Sequence, residues 1–221
     1  MQITFFETAC QNLKFSFIPD FDSSCSITPL GYFSFKISII YFGLSLVYSL
    51  GLKDAVVLDV LMISIGFVLR AIAGVEAIKG VQPTVELSPW LLVCTLFLAL
   101  FLGFNKRRHE LKLLSEDAPR HRKSLQHYSR EFLDVMISVV AAATVIAYSI
   151  YTISPKTIEK FQTRNLIYTV PFVVYGLFRY MYLVIMQDKG GSPSEIIVTD
   201  IPLVLDILLW ILVAGVVLYM A

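Results

Sequence analysis

Residues 88–110 decide the fold, and they read SPWLLVCTLFLALFLGFNKRRHE. The stretch 88–104 is almost uninterruptedly apolar, close to the length of about 20 residues that a membrane-spanning helix needs. The Ser88-Pro89 pair is typical of a helix start. The run then ends abruptly in Asn105 and three consecutive cations. This segment therefore predicts a transmembrane helix with a charged end.

The rest of the chain repeats this pattern. Of its 221 residues 57% are hydrophobic, against about 45–50% in ordinary soluble domains, and the mean hydropathy is +0.72. Apolar runs predict spans near 31–50, 55–78, 88–105, 134–154, 165–186 and 201–220. Pro171 falls inside one of them, which membrane helices tolerate. We predict an all-α, polytopic transmembrane helical bundle of about six spans.

The first 30 residues do not follow this pattern. They mix Phe and Ile with Pro19, Asp20 and Asp22 and show no helical period. A signal peptide would need a basic start, an apolar stretch and a small-residue cleavage site, and none of these is present. We therefore predict an irregular segment at 1–30 and a single transmembrane domain at 31–221.

Charge is concentrated in one part of the chain. The formal net charge is only +1, which does not point to nucleic acid as a partner. Residues 106–130, however, hold eight of the 18 Lys and Arg residues. Short loops rich in Lys and Arg stay on the cytoplasmic side of a membrane. The sequence thus predicts a protein of the cell (inner or plasma) membrane with this segment in the cytoplasm. The three cysteines have no metal-type spacing.

The first candidate site is residues 105–110, at the predicted end of the third span. Cations at a helix C-terminus suit the helix dipole and an anionic lipid surface, so the cluster has a plain structural explanation. The sharper hypothesis is a diphosphate clamp, because Lys and Arg donors match phosphate oxygens. Glu110 or Asn105 would then bind Mg²⁺ or a sugar hydroxyl. Lys106 and Glu110 are four residues apart and share a helix face.

The second candidate site begins with Tyr48 and Lys53, and runs on to Asp59. Asp59 lies about one turn inside a span, where a carboxylate is costly and usually faces a polar interior. Arg70 follows on the same helix stripe, about 16 Å along the axis, too far away to pair with Asp59. Each of the two charges therefore needs a partner elsewhere. A structural ion pair with another helix competes here with a role in a site.

Several of these motifs together resemble those of the UbiA-type prenyltransferase superfamily, and most closely its decaprenyl-phosphate phosphoribosyltransferase branch. The matching stretches are 48–53 (YSLGLK), Asp59-Val60, 66–71 (GFVLRA), Ala73-Gly74, 88–90 (SPW), 106–110 (KRRHE), 148–152 (YSIYT), Pro171-Phe172, Arg179-Tyr180, Asp200 and Pro202-Leu203. The resemblance covers about residues 40–220. No single motif is decisive, but their order and spacing are specific.

This resemblance implies a nine-helix fold around a membrane-level chamber that opens to the cytoplasm. It implies transfer of 5-phosphoribosyl from its 1-diphosphate donor to a polyprenyl phosphate, with Mg²⁺ as cofactor. Asp59 and Glu110 are then expected as catalytic residues, with the metal ligands unassigned. The residues expected to bind substrate are Tyr48, Lys53, Arg70, Asn105, Lys106, Arg107, Arg108 and Arg122.

The chain also departs from the family pattern. An Asp-rich first motif is expected upstream of residue 30 and is missing, and Ile201 stands where the family has Arg after Asp200. We therefore expect a chain without the first part of the family fold and inactive by itself. Two other functions stay open. One is prenyl transfer to an aromatic or other acceptor, against which the three cations argue. The other is a non-catalytic membrane protein or small transporter.

Overall fold

The structure, a computed structural model, describes residues 29–79, 88–114, 127–187 and 193–220. Within these ranges the chain is helical and contains no strand. Its α-helices are α1 (Pro29–Leu50), α2 (Leu58–Lys79), α3 (Pro89–Leu114), α4 (Arg130–Ile153), α5 (Pro155–Phe161), α6 (Val170–Met186), α7 (Pro193–Thr199) and α8 (Ile201–Tyr219). Short 3₁₀ turns precede α2 at Leu52–Asp54 and α6 at Asn165–Thr169. The predicted all-α bundle is confirmed.

Five of the six predicted spans correspond to helices that are long and apolar enough to cross a membrane. These are Leu58–Lys79, Pro89–Lys112, Arg130–Ile153, Asn165–Met186 and Ile201–Tyr219, counted over the described residues. The remaining prediction, 31–50, forms α1, within which a shorter apolar stretch, Lys36–Leu50, was found. Of the predicted segment 1–30, residues 1–28 lie outside the described part of the chain, and Pro29 and Leu30 already belong to α1.

One sequence-based boundary was wrong. Helix α3 continues to Leu114, so the cations at 106–108 lie inside a helix and not at its C-terminus or in a loop. Leu, Lys, Arg and Glu are all good helix formers, and no Gly or Pro interrupts them before that point. Pro171 does lie inside the predicted span, which corresponds to Asn165–Met186, and it occupies the first turn of α6 directly after the 3₁₀ turn. Proline is well accommodated there because the first turn has no intrahelical acceptor for its missing N–H.

The bundle has apolar side chains outside and charges inside. Phe42 is 63% exposed and Leu212 60%, whereas Asp59 and Asn105 are fully buried and Arg107 is 3% exposed. A water-soluble domain would show the opposite arrangement. In lipid, apolar side chains can face outward freely, whereas polar side chains must find partners within the protein. The burial pattern therefore supports a membrane bundle.

Helices α2, α3 and α4 pack side by side, with the most extensive interface between α3 and α4. Gly103 is what allows α3 to approach α2 closely. A Cβ at this position would lie 2.5 Å from Cγ1 of Val60, much closer than real Cβ contacts. Small residues let membrane helices approach each other in this way. Because Val60 adjoins Asp59 and Arg107 follows Gly103 by one turn, this contact brings the two charged residues together.

Candidate functional site: a buried charged cluster

The centre of the site is an ion pair between α2 and α3. The Arg107 Nε–H donates to Oδ2 of Asp59 at 2.8 Å, and the two side chains are 4% and 0% exposed. Asp59 lies in the first turn of α2, where the positive end of the helix dipole favours a carboxylate. Burying two charges is costly unless their remaining polar atoms are also hydrogen-bonded. The surrounding residues supply those bonds.

Glu110 and Asn105 extend the cluster along α3. An Nη1–H of Arg107 donates to Oε2 of Glu110, whose side chain is 30% exposed. Arg107 thus bridges a fully buried carboxylate and one that reaches the surface. The Nδ2 group of Asn105 donates to the Phe101 carbonyl at 2.7 Å, whereas its Oδ1 is buried without a hydrogen-bond partner in the part of the chain that the structure describes. The site therefore offers one unused buried acceptor.

Tyr128, just before α4, completes the coordination of Asp59. Its hydroxyl donates to Oδ1 of Asp59 at 2.9 Å and accepts from the Val57 N–H at 2.6 Å. Burial raises the pKa of the Tyr128 phenol, so it stays protonated and remains a donor. Val57 has a φ of 69°, a left-handed conformation that is unusual for a β-branched residue. Such strained positions are often associated with functional sites.

A second ion pair joins the other helices to this region. The Arg108 Nε–H donates to Oδ1 of Asp134 on α4 at 2.5 Å, and an Nη1–H donates to the Val184 carbonyl on α6 at 3.1 Å. Arg108 therefore also satisfies a backbone acceptor near the end of α6. The N-terminal ends of α2 and α4 and the C-terminal parts of α3 and α6 thus meet around one polar cluster. The rest of each helix is mainly apolar.

The structure brings together only part of the predicted site. Asp59, Asn105, Arg107, Arg108 and Glu110 lie in or beside the cluster, and Lys106 is exposed on α3 next to it. The predicted proximity of Lys106 and Glu110 does not produce a pair, because Glu110 binds Arg107 instead.

The other predicted residues lie elsewhere or cannot be placed. Arg70 donates to the Tyr41 hydroxyl at 2.5 Å, and its guanidinium lies over the Tyr41 ring at 5.2 Å. Tyr48 is in the last turn of α1, with its hydroxyl buried and unpaired among the described residues. Lys53 lies in the 3₁₀ turn, but its side chain is outside the described part, as is all of Arg122.

Sequence reasoning missed two participants of the cluster, Tyr128 and Asp134, and one buried acidic residue elsewhere, Asp206. Tyr128 has no distinctive sequence pattern and reaches Asp59 only through the tertiary fold. Asp134 stands at the start of the predicted span 134–154, where an acidic residue is unremarkable, although it pairs with Arg108. Asp206, in α8, is 7% exposed. The sequence could have indicated Asp206, because an ionisable residue inside a span is by default a candidate functional residue.

The described carboxylates do not fit a Mg²⁺ site. Both oxygens of Asp59 are occupied, one by Arg107 and one by Tyr128, and Glu110 is also held by Arg107. No group of three or more potential His, Cys, Asp or Glu ligands occurs within the described ranges. Mg²⁺ usually needs well-placed carboxylates free to coordinate it. Asp59 and Glu110, as the structure holds them, therefore do not provide a Mg²⁺ site.

Taken together, the fold and the cluster define a polytopic α-helical membrane protein with a buried, charged site at one end of its helices. The chain is 32% identical over 189 residues to decaprenyl-phosphate phosphoribosyltransferase of Mycolicibacterium smegmatis, a match covering 81% of this chain and 57% of that protein. It is 33% identical over 174 residues to the protein of that name in Corynebacterium glutamicum, covering 78% of this chain and 50% of the relative.

A protein of the same name in Mycobacterium tuberculosis is 30% identical over 181 residues, which is 81% of this chain and 56% of the relative. The chain therefore spans about half the length of the curated relatives it matches. No protein-family model matches it. The resemblance drawn from the sequence motifs, to a UbiA-type transferase closest to the decaprenyl-phosphate phosphoribosyltransferases, is confirmed by these relatives.

Proposed function

We propose that the chain functions as a membrane transferase that moves 5-phosphoribosyl from phosphoribosyl diphosphate to a polyprenyl phosphate. The observation that carries the proposal is the charged cluster at one end of a membrane bundle, in a chain similar to proteins named for this kind of transfer. Both substrates are polyanions. Cations fixed at the membrane surface are suited to bind them and to stabilise charge on a departing diphosphate.

The geometry suggests how a phosphate would enter. Among Asp59, Arg107, Glu110 and Lys106 the charges balance, so an incoming phosphate needs a cation that can exchange its partner. Arg107 is that cation, because its contact with Glu110 reaches the surface whereas its contact with Asp59 is fully buried. A phosphate oxygen would replace Glu110 and leave the Asp59 pair intact. Exposed Lys106 would supply a further donor.

The ribose would find its partner in Asn105. The buried Oδ1 of this side chain has no donor among the described residues, although burying an unpaired amide oxygen is unfavourable. A sugar hydroxyl donating to it would remove that penalty in the complex. The displaced Glu110 carboxylate would lie nearby as an acceptor for a proton or a second hydroxyl. These roles make Asn105 a contributor to recognition and Glu110 the exchangeable group.

Donor binding by the purified 221-residue chain tests the proposal. Equilibrium dialysis with labelled phosphoribosyl diphosphate should show saturable binding that inorganic diphosphate displaces. Lys106→Ala should weaken it by about tenfold, the loss of one charge-assisted hydrogen bond, whereas Arg130→Ala at the exposed start of α4 should change little. Stronger binding of an isoprenyl diphosphate than of the sugar donor would favour prenyl transfer instead. Absence of binding to either would favour a non-catalytic membrane protein.

Transfer itself is a separate proposal. We expect no transfer to a polyprenyl phosphate by this chain alone, because the carboxylates of Asp59 and Glu110 are engaged by Arg107 and Tyr128 and do not offer Mg²⁺ a ligand set. A Mg²⁺-dependent assay on the reconstituted chain measures this directly. Robust product formation would contradict this expectation.

We also propose that the charged end of the bundle faces the cytoplasm and that the membrane is the plasma membrane. The support is the concentration of Lys and Arg at 106–130. A cysteine placed at exposed Ser129 should resist a membrane-impermeant thiol reagent in intact cells and react in inverted vesicles. A cysteine at exposed Tyr168, in the turn before α6 on the opposite side, should behave in the reverse way. If the cysteine at position 129 were labelled in intact cells as strongly as in inverted vesicles, this orientation would be contradicted.

A further inference from the structure

A pocket separate from the ion pairs lies between α3, α6 and α8. Its volume is about 270 Å³, and its walls are mainly apolar. They include Leu98, Phe101, Phe172, Leu177, Leu203 and Trp210. Leu98 is 43% exposed on the outer surface of the bundle, so the pocket is within reach of the surrounding lipid. Lipid tails alone would suit these walls.

Two polar side chains in the same walls do not suit a lipid tail. Tyr180 is 4% exposed, and its hydroxyl is buried without a hydrogen-bond partner in the described part of the chain. Asp206 is 7% exposed, and no described residue forms a hydrogen bond or an ion pair with it. Its Oδ2 lies against Gly176, only 2.9 Å from where a Cβ would be. The absence of a side chain at Gly176 leaves room for this carboxyl group.

The third polar side chain of the pocket gives a useful contrast. The Trp210 indole N–H donates to the Tyr148 hydroxyl at 3.1 Å, which in turn is 2.7 Å from Oγ1 of Thr169. The fold thus gives the Trp210 N–H a hydrogen-bond partner within the protein. It gives none to the Tyr180 hydroxyl or the Asp206 carboxyl group, although burying such groups unpaired is unfavourable.

We propose that this pocket binds the hydroxyl end of a membrane-soluble long-chain alcohol. A hydroxyl group can donate to the Asp206 carboxyl and accept from the Tyr180 O–H at the same time. A hydrocarbon can satisfy neither, and a phosphate would bring its negative charge into a pocket that has no described cation in its walls. The apolar walls then hold the first part of the chain. This site is independent of the proposed transfer reaction.

Photolabelling of the whole chain in phosphatidylcholine nanodiscs tests the proposal. The probe is a fatty alcohol with a diazirine close to its hydroxyl, and the matched control is its methyl ether, which cannot donate a hydrogen bond. The alcohol should label α6 and α8 around the pocket, and the ether should label them about tenfold less, the loss of roughly one buried hydrogen bond. Competition with a saturated alcohol, an isoprenoid alcohol and a diacylglycerol then shows which hydroxyl-bearing lipid binds best.

Variants make the test specific. Asp206→Leu keeps the size of the side chain and should abolish the preference for the alcohol over the ether, because only the alcohol donates to this carboxyl group. Tyr180→Phe removes only an oxygen and should lower labelling by both probes, because the alcohol and the ether both accept from the phenol. Tyr175→Phe, on the exposed face of α6, should change neither the preference nor the labelling. If Asp206→Leu does not fold, Tyr180→Phe decides the matter. Equal labelling by alcohol and ether in the unaltered chain, or unchanged labelling by the alcohol in Tyr180→Phe, would overturn the proposal.

Discussion

Replacing Tyr128 with Phe removes one oxygen from the centre of the charged cluster. In the folded protein this oxygen donates to Oδ1 of Asp59 at 2.9 Å and accepts from the N–H of Val57 at 2.6 Å. The substitution keeps the ring, which packs at 6.1 Å from Phe132. It therefore tests the two hydrogen bonds and leaves the packing almost unchanged.

The expected cost follows from what each bond satisfies. A hydrogen bond to a charged group contributes about 1.5–3 kcal/mol, and a buried donor left unpaired costs about 1–3 kcal/mol. Val57 is held at a φ of 69°, and we expect it to relax when its N–H loses the hydroxyl. Such relaxation would reduce the penalty for the unpaired N–H of Val57. We therefore expect Tyr128→Phe to lower the free energy of unfolding by about 2–4 kcal/mol.

Reversible unfolding in mixed detergent micelles provides the assay. Tyr168→Phe is the matched control, because this tyrosine is 65% exposed and the same oxygen is removed. It should change the free energy of unfolding by less than about 0.5 kcal/mol. A double-mutant cycle of Tyr128→Phe with Asp59→Asn should then give a coupling energy above about 0.5 kcal/mol. Equal effects of the two Tyr→Phe changes, or no coupling, would refute the assignment of Tyr128 as the residue that positions Asp59.

The remaining predictions use the same unfolding assay. Gly103→Ala should destabilise the bundle by about 1–3 kcal/mol, because the new methyl lies 2.5 Å from a side chain of α2; Gly43→Ala, with nothing within 4 Å, should be neutral or slightly stabilising. Arg107→Leu should cost about 3–5 kcal/mol because it leaves a buried carboxylate unpaired, and a loss no larger than that of Arg130→Ala would contradict this. Asp200→Ala should cost about 1–2 kcal/mol, since its carboxylate caps α8 and binds a neighbouring arginine.

Part of this protein could be predicted from the sequence because hydrophobicity acts locally. A run such as 88–104 must form a helix in a membrane, since any other conformation leaves backbone groups unsatisfied in lipid. Five spans were placed in this way, and all their ends except that of the third lie within a few residues of the prediction. The end of α3 was misplaced because the charges that mark a membrane boundary are also good helix formers. A helix such as α3 can continue beyond the point at which it leaves the hydrocarbon layer of the membrane.

The residue types of the site were also available from the sequence. A carboxylate at Asp59 and cations at 106–108 are too costly in a membrane to be accidental, so each had to have a partner. Their motifs were enough to indicate the relatives that the comparisons then found. What the sequence could not indicate is which charge pairs with which, because pairing depends on distances between helices and not along them.

Only the tertiary structure decided those pairings. Contact at Gly103 brings α3 against α2 and so joins Arg107 to Asp59, while the chain entering α4 adds Tyr128 from about seventy residues away in sequence. The structure also turned Arg70 towards Tyr41, away from the cluster that its position on the same helix stripe had suggested. Hydrophobic length therefore determines that these helices cross the membrane, whereas close packing between them determines which of their buried charges meet.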